Sequence, residues 1–294
     1  MKSGFVSLIG RPNVGKSTLL NTLVNAKVAI TSPKAQTTRN IIQGVYNQPD
    51  LQIVFVDTPG IHKPKSKLGK VLNKQAISLS KDVDVILFLA DASQYLGEGD
   101  RYVMNVLKSS DIPVILVLNK IDKLNKNQIL EKIAEYKDEY PFVEIVPISA
   151  LKQDNTARLI KVISTYLTDN QKYFADDYLT SNPTSFMISE YVREKLLLLT
   201  EEEVPHSITC VTTDYKETPK IINVSVDIIV DRPSLKKIII GKNGNMLKQV
   251  GIFARQDIES LLQKQVFLEL FVKVIPNWKD KEKYIKELGF KDFE

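Results

Sequence analysis

The stretch Gly10-Arg11-Pro12-Asn13-Val14-Gly15-Lys16-Ser17 decides the fold of this chain. It follows an apolar run, residues 5–9, and precedes Thr18–Leu23, in which leucines recur at helical spacing. A strand, a glycine loop and a helix in this order predict a phosphate-binding loop, because backbone N–H groups surround the phosphate. The eight loop residues and Thr18 are predicted nucleotide ligands, with Lys16 at the outer phosphates and the Ser17 hydroxyl on Mg²⁺. This context disfavours the alternative, a plain Gly-Pro turn before a core helix.

Apolar strands and helical stretches alternate over residues 1–168. The strands are predicted at 4–9, 41–46, 51–57, 83–91, 113–119 and 144–148, and the helices at 17–24, 68–81, 100–109, 126–140 and 155–166. Several strands are runs of Val, Ile and Leu, which is typical of a parallel sheet covered on both faces. We therefore predict a doubly wound α/β domain with its ligand loops at the carboxyl ends of the strands.

The third predicted strand ends in Asp57-Thr58-Pro59-Gly60. An aspartate at this position can hold Mg²⁺ through water, and the Gly60 N–H can meet a third phosphate.

Two later strands end in motifs that predict guanine recognition. In Asn119-Lys120-Ile121-Asp122, the Asp122 carboxylate can accept hydrogen bonds from the amino and imino groups of guanine. Adenine lacks both groups there and would leave the carboxylate unpaired. Ser149-Ala150-Leu151 places a backbone N–H near the guanine oxygen. Each motif is weak alone, but the three motifs in this order after the phosphate loop predict GTP.

The polar segment Ala29–Arg39 lies between the loop helix and the second strand. In a GTPase such a segment becomes ordered when a threonine meets Mg²⁺ and the third phosphate. Thr38 is the preferred ligand and Thr37 the substitute. The predicted metal ligands are therefore Ser17, Thr38 and Asp57, and the predicted catalytic residues are Lys16, Asn13, Thr38 and Gly60.

Ile61 follows Gly60, where Ras-like GTPases carry a glutamine that orients the attacking water. Isoleucine cannot orient water, so hydrolysis is slow unaided, uses another residue or uses an added cation. For the last route Asn13 is the candidate, because its amide oxygen could ligate a monovalent cation beside the phosphates. Potassium dependence is the resulting hypothesis.

Residues 169–183 are turn formers without a period and predict a linker. Beyond it, residues 184–294 predict a second domain with the order α-β-β-α-α-β. Its elements are predicted at 185–200, 207–214, 220–231, a short helix from 235 that breaks at 241, a long helix through 262, a strand at 266–275 and a tail helix at 279–288. Residues 231–294 hold 13 Lys and Arg against 9 Asp and Glu, which hints at an anionic partner.

The loop Gly241-Lys242-Asn243-Gly244 joins two predicted helices. A Gly-x-x-Gly loop of this kind brings backbone N–H groups and a lysine against single-stranded nucleic acid. The alternative is a plain helix-turn-helix with glycine caps, but the α-β-β-α-α-β order favours RNA. Phe253, Phe267 and Phe271 are predicted to be core residues. The predicted RNA-binding residues are Lys237, Ile240, Gly241, Lys242, Asn243, Gly244, Met246 and Lys248.

Composition bounds the class of protein. The chain has 294 residues, of which 43% are hydrophobic and 26% charged, as in a soluble protein with two globular domains. Its one cysteine, Cys210, excludes an internal disulfide and fits a reducing compartment. We find no signal pattern and no apolar run of membrane-spanning length, so we expect a cytoplasmic monomer.

Taken together, the phosphate loop, the Ala-Gln-Thr-Thr-Arg segment, Asp-Thr-Pro-Gly-Ile-His, Asn-Lys-Ile-Asp and Ile-Ile-Gly-Lys-Asn-Gly resemble the bacterial Era GTPases over essentially the whole chain. The resemblance implies a doubly wound P-loop GTPase domain followed by a smaller α+β KH domain. It also implies a Mg²⁺-dependent GTPase that assists assembly of the small ribosomal subunit and 16S rRNA maturation. Its KH domain would bind single-stranded RNA near the 3′ end of that rRNA. Peripheral association with the inner face of the plasma membrane is implied by the family alone.

Three alternatives stay open at this point. A GTPase of the same chemistry could act on tRNA modification or on another ribosomal step. A different class is an RNA-binding adaptor in which nucleotide only stabilises the fold. The third is a GTPase that works on the membrane surface.

Overall fold

Two β-sheets organise this chain, one of six strands and one of three. The computed structural model describes residues 1–34, 36–64, 66–79 and 82–290. The strands are β1 (Lys2–Gly10), β2 (Ile42–Gln48), β3 (Leu51–Asp57), β4 (Val85–Asp91), β5 (Val114–Asn119), β6 (Glu144–Pro147), β7 (Ile208–Glu217), β8 (Ile221–Val230) and β9 (Gln265–Val274). The helices are α1 (Lys16–Val24), α2 (Lys67–Leu79), α3 (Glu98–Leu107), α4 (Lys126–Lys137), α5 (Thr156–Tyr166), α6 (Thr184–Leu199), α7 (Val204–Ser207), α8 (Pro233–Ile240), α9 (Asn245–Leu262) and α10 (Glu282–Glu287).

The predicted elements match these bounds to within a few residues in most cases. The predicted tail helix is wrong in its first part, which is a short 3₁₀ turn, Trp278–Asp280, before α10. Three predicted segments extend outside the described residues: the polar segment Ala29–Arg39 at residue 35, the second helix at residues 80 and 81, and the second domain at residues 291–294.

The first sheet has the strand order β2-β3-β1-β4-β5-β6. All neighbours are parallel except β2 and β3, which pair antiparallel. The prediction of a parallel sheet is therefore wrong for β2. Only residues 49 and 50 separate β2 from β3, and so short a connection permits a hairpin but no parallel crossover.

Helices cover both faces of this sheet, as the sequence predicts for a doubly wound domain. One core includes Leu19 of α1 and Leu159 of α5, and the other includes Val103 of α3 and Tyr136 of α4. The loops after β1, β3, β5 and β6 leave the same edge of the sheet, because parallel strands end on the same side. These loops carry the predicted nucleotide motifs.

The second sheet has the order β7-β8-β9, with β7 and β8 antiparallel and β8 and β9 parallel. The predicted α-β-β-α-α-β order is confirmed by α6, β7, β8, α8, α9 and β9. Its core packs Val192 of α6 and Ala254 of α9 against Val226 of β8. Helices cover one face only, so the other face carries partly solvated side chains.

The structure corrects the prediction that three phenylalanines, Phe253 of α9 and Phe267 and Phe271 of β9, are core residues. Phe253, Phe267 and Phe271 are 44%, 53% and 49% exposed. In β9 the alternate residues, such as Val266 and Val272, point at the helices and are buried. Phe267 and Phe271 have the opposite parity and therefore lie on the open face.

The connection at residues 169–183 contains no helix or strand, but it is held along β2 at the edge of the first sheet. The Val45 N–H donates to the Leu179 carbonyl over 3.0 Å. The Thr180 hydroxyl donates to the Gln43 carbonyl over 2.6 Å. The segment thus covers an edge strand that would otherwise expose unpaired backbone groups.

Among the described residues, the two halves of the chain share apolar packing, for example around Ile30 and along α2. Ile30, from the segment after α1, is fully buried in the core of the three-stranded unit. Leu68 and Leu72 of α2 pack with Trp278 and Ile285 of the C-terminal segment. None of the described helices has the length and apolar character needed to cross a bilayer.

Candidate functional site

The loop between β1 and α1 has the backbone of a phosphate cradle. Gly15 adopts a φ of 99°, and a Cβ there would lie 2.2 Å from the Asn119 Nδ2, so no larger residue fits. Lys16 is buried, and its Nζ donates to the carbonyls of Gly10 and Arg11 over 3.3 and 3.0 Å. Burial lowers the pKa of Lys16, against the opposing effect of Asp57. A phosphate group would supply the anionic partner that this ammonium lacks.

Three predicted metal ligands converge beside Lys16. The Ser17 Oγ lies 2.6 Å from the Asp57 Oδ2 and 2.8 Å from the Thr38 Oγ1. The second carboxylate oxygen of Asp57 is buried without a hydrogen-bond partner among the described residues. Burial raises the pKa of Asp57 to about 6, although Lys16 opposes the shift. Two hydroxyls and a carboxylate are hard oxygen donors, so the set fits Mg²⁺.

The structure brings Thr38, and not Thr37, to this metal set. The Thr37 hydroxyl instead donates to the Lys34 carbonyl over 2.7 Å, within its own loop. Thr37 is buried at 9% exposure, as is Thr38 at 7%. Thr37, the substitute in the sequence prediction, is therefore turned away from Ser17 and Asp57 in this conformation.

The guanine motifs meet beyond the other end of the loop. The Asn119 side chain donates to the Val14 carbonyl over 2.8 Å and accepts the Ala150 N–H over 2.9 Å. It thereby joins three of the predicted segments. The Asp122 carboxylate accepts a hydrogen bond from the Ser149 hydroxyl over 2.5 Å, which orients it. Leu151 is 72% exposed and lies on the pocket wall.

Lys120 connects the phosphate-binding loop to the end of β4. Its Nζ lies 2.7 Å from the Asn13 carbonyl and 2.7 Å from the Asp91 Oδ2 at the end of β4. Burial tends to raise the pKa of Asp91, but hydrogen bonds from Lys120 and Ser93 hold it below its usual value. Asp91 belongs to none of the sequence motifs, so its contact with Lys120 was not predicted.

Gly60 approaches the phosphate loop so closely that a Cβ would lie 2.7 Å from the Pro12 nitrogen. Ile61 is fully buried in the core, so its side chain is not placed to orient the attacking water.

His62 was not predicted as a site residue. Its Nδ1 lies 2.9 Å from the Gly60 carbonyl and its Nε2 lies 3.0 Å from the Gln36 amide nitrogen, so it connects the end of the Asp57–Gly60 motif to the polar segment Ala29–Arg39.

One pocket of about 880 Å³ contains most of these groups and extends to α6 of the second unit. Its wall includes Glu194 and Leu198 of α6 and Lys27 of the first unit. Glu194 lies 2.6 Å from the Lys27 Nζ and accepts the Thr31 N–H over 3.0 Å. The Tyr191 hydroxyl donates to the Lys27 carbonyl over 2.8 Å. The second unit therefore forms part of the nucleotide pocket.

A second set of contacts holds the two residues on either side of Thr38, Thr37 and Arg39. Arg193 of α6 donates to the Thr37 carbonyl and pairs with Glu190 over 2.6 Å. Arg39 donates to the carbonyls of Ile208 and Pro205. Burial and the nearby Arg193 lower the pKa of Arg39 to about 9. These side chains are distant in sequence and follow no motif, so sequence reasoning missed them.

The Gly-x-x-Gly loop forms one end of a groove on the second unit. Gly241 and Gly244 have φ values of 73° and 76°, and Asn243 has a φ of 54°. Lys237, Lys242 and Lys248 are exposed, as an anion-binding edge requires, whereas Ile240 and Met246 are half-buried. The groove of about 380 Å³ continues between α9 and β9 and is lined by Gly244, Leu247, Lys248, Gly251, Ile252, Arg255, Phe267, Leu268 and Leu270. Of these, Gly244 and Lys248 are predicted RNA-binding residues, whereas the other seven, including Arg255 and Phe267, were not predicted.

Comparison with known proteins finds a matching family for each unit. A family model described as a 50S ribosome-binding GTPase matches residues 5–120, and a KH domain model matches residues 203–279. The GTPase Era of Geotalea daltonii is 50% identical over 289 residues, which cover 98% of this chain and 97% of that protein.

Two solved structures match the whole chain. A crystal structure of Era in complex with MgGDPNP and nucleotides 1506–1542 of 16S ribosomal RNA has a TM-score of 0.94, with 44% identity and 99% of each chain covered. An Aquifex aeolicus Era variant bound to GDP and AlF4⁻ has a TM-score of 0.93, with 43% identity and 99% of each chain covered.

Proposed function

Because this chain belongs to the Era family of GTPases, we propose that it is a GTP-driven switch on ribosomal RNA. It hydrolyses GTP to GDP and phosphate, binds single-stranded RNA near the 3′ end of 16S rRNA through its KH domain, and assists assembly of the small ribosomal subunit. One observation carries the proposal: Arg193 of the KH unit holds the residue next to Thr38, the predicted ligand of Mg²⁺. The segment that carries Thr38 is therefore held by a helix of the unit that contains the Gly-x-x-Gly groove.

The chemistry of the site is charge stabilisation. Lys16 and the loop N–H groups would stabilise negative charge on the outer phosphates, and the Gly60 N–H would donate to the third phosphate. Mg²⁺, held by Ser17, Thr38 and, through water, Asp57, would neutralise charge between the second and third phosphates when bound. Ile61 is buried and orients no water, so we expect slow turnover, which suits a switch.

The switch operates through residues 27–39. Loss of the third phosphate removes a partner of Thr38 and Gly60, so this segment loses a restraint on one side. Its other side is bound to α6 through Glu194 and Arg193, and to the start of β7 through Arg39. A change at the phosphate end therefore alters how the KH unit sits against the first unit.

The test is RNA affinity measured with GDP and with a non-hydrolysable GTP analogue. We expect the two affinities to differ by about fivefold or more, as a coupling free energy of about 1 kcal/mol requires. Lys16→Ala should remove the difference while the protein stays folded. Equal affinities in the parent protein would favour the adaptor alternative. Crosslinking followed by RNA sequencing would separate 16S rRNA from tRNA or another ribosomal target.

We also propose that potassium assists hydrolysis. The Asn13 Nδ2 donates to the Pro33 carbonyl over 2.7 Å, which fixes the amide between the phosphate loop and the switch segment. The amide oxygen would face a cation beside the phosphates. We expect faster turnover in potassium than in sodium at equal ionic strength. Equal turnover would remove this proposal.

Two further partners follow from the family. Binding to the 30S subunit would appear as co-sedimentation with 30S particles that depends on the GTP analogue. Peripheral contact with the inner membrane face would appear as flotation with vesicles that contain anionic lipid, in the absence of RNA.

A further inference from the structure

The last turns of α6 form a wall of the nucleotide pocket. Glu194 and Leu198 have the spacing of residues one helical turn apart, so they share a face of α6, and both line the pocket of about 880 Å³. The phosphate-binding loop and Leu151, which follows the predicted guanine contact at Ala150, line the same pocket. A helix of the second unit therefore faces the cavity that carries the nucleotide motifs.

Polar contacts fix this part of α6 against the first unit. The Glu194 carboxylate accepts the Thr31 N–H over 3.0 Å and lies 2.6 Å from the Lys27 Nζ. The Tyr191 hydroxyl donates to the Lys27 carbonyl over 2.8 Å. Because Leu198 lies one turn beyond Glu194, these contacts also set where its side chain meets the pocket.

Leu198 is a large apolar side chain that is open to this pocket. It is 51% exposed, whereas its neighbours Leu196 and Leu197 are fully buried in the core of the second unit. Leu151 is 72% exposed and is the other large exposed apolar side chain among the described residues of the pocket wall. Exposed apolar side chains on a pocket wall favour a ligand that has an apolar surface of its own, since contact removes both surfaces from water.

The nucleoside is the part of GTP that offers such a surface. The phosphates and Mg²⁺ are strongly hydrated and match the polar groups of Lys16, Ser17 and Asp57. The ring face of guanine and the carbon atoms of ribose are apolar. Residues 6–45 contain no aromatic residue, so neither the phosphate-binding loop nor the polar segment Ala29–Arg39 supplies a ring that could stack on the base. A leucine of α6 can supply apolar cover in its place.

We propose that Leu198 contacts the nucleoside of bound GTP and GDP, so that the second unit contributes a nucleotide-binding residue to the site of the first. This inference deepens the proposed function and rests on it, because it requires a guanine nucleotide in this pocket. GTP and GDP share the same nucleoside, so the contact buries apolar surface in both states. Leu198 therefore slows the release of both nucleotides to the same extent.

The test measures the dissociation rates of GDP and of a non-hydrolysable GTP analogue from the full chain. Leu198→Ala removes the contact, and Leu198→Met keeps an apolar side chain of similar length. Leu130→Ala is the matched control, because Leu130 is a 64% exposed leucine of α4 that is not part of the pocket wall. Thermal unfolding without nucleotide reports whether each variant is folded. Leu198→Gln, which keeps the length of the side chain, replaces Leu198→Ala if that variant is unfolded.

We expect Leu198→Ala to release both nucleotides about fivefold faster, as the loss of about half of a buried leucine side chain implies. Leu198→Met and Leu130→Ala should release both at the parent rate. Unchanged release from Leu198→Ala would overturn the proposal, and so would equal acceleration by Leu130→Ala. Faster release of the GTP analogue alone would also overturn it, because that result would assign Leu198 to the segment around Thr38 and not to the nucleoside.

Failure of the proposed function gives a different result. If the parent protein binds neither nucleotide, the nucleotide site is wrong and this inference is wrong with it. If the parent binds both nucleotides and Leu198→Ala releases them as the parent does, only the Leu198 contact is wrong. If Leu198→Ala accelerates the release of both while RNA affinity is equal with GDP and the GTP analogue, the switch is wrong and the Leu198 contact is confirmed.

Discussion

Arg193 and Thr37 are hydrogen-bonded across the boundary between the two units, from a guanidinium to a backbone carbonyl. Arg193 is 1% exposed and its partner Glu190 is 4% exposed. The carbonyl belongs to the residue that precedes Thr38, so the position of a predicted metal ligand depends on a helix of the RNA-binding unit. Burial makes this contact costly to lose, because the Thr37 carbonyl would be left without a hydrogen-bond partner.

Arg193→Gln is expected to uncouple the two sites. Removing one partner of a buried pair leaves Glu190 uncompensated, so the free energy of unfolding should fall by about 3 kcal/mol. The ratio of RNA affinities with GTP analogue and GDP should approach one. Arg232→Gln, which removes a half-exposed pair with Glu203 in the same unit, is the control and should preserve the ratio. A normal ratio in Arg193→Gln would show that coupling takes another route.

Asn119→Ala should weaken both stability and nucleotide binding. It leaves the Val14 carbonyl and the Ala150 N–H without their shared partner, and each buried unpaired group costs about 1–3 kcal/mol. We expect GDP affinity to fall more than tenfold, measured by titration calorimetry. Asn125→Ala removes a nearby helix cap at a cost of about 1 kcal/mol and should leave GDP affinity intact.

The Mg²⁺ requirement should depend on pH. The pKa of Asp57 is raised by burial to about 6, so the carboxyl takes up a proton as the pH falls through that value. Protonated carboxyl groups do not bind Mg²⁺, so its half-saturating concentration for hydrolysis should rise about tenfold between pH 7 and pH 5. The raised pKa also means that this group favours folding less as pH rises from 4 to 6 in metal-free protein. A half-saturating concentration that is constant over this range would contradict the assignment.

Gly60→Ala should slow hydrolysis by about two orders of magnitude, the usual effect of losing one donor to developing charge. The added Cβ would lie 2.7 Å from the Pro12 nitrogen, so the Gly60 N–H must move away from the third phosphate. GDP lacks that phosphate, and its affinity should stay within about threefold. Gly97→Ala is the control, because its nearest atom to the new Cβ is 3.9 Å away. Equal turnover in both variants would remove Gly60 from the catalytic set.

The sequence predicted those parts of the site that depend on local chain geometry. Gly10, Asp57 and Asn119 each stand at a strand end, where a short motif specifies the backbone and the side chain together. The contacts of Arg193 could not be predicted in this way, since it and Thr37 are 156 residues apart. Phe267 was misassigned for a related reason: a hydrophobic strand residue does not reveal whether a second layer covers its face.

The path of residues 169–183 along β2 affects how the first unit behaves when it is separated from the second. A fragment that ends at residue 168 would lose the Leu179 and Thr180 contacts and present a bare edge strand to solvent. Such an edge templates intermolecular strand addition, so this fragment should self-associate and become sensitive to proteases. A fragment that continues to residue 183 keeps the segment that covers β2 and should not self-associate.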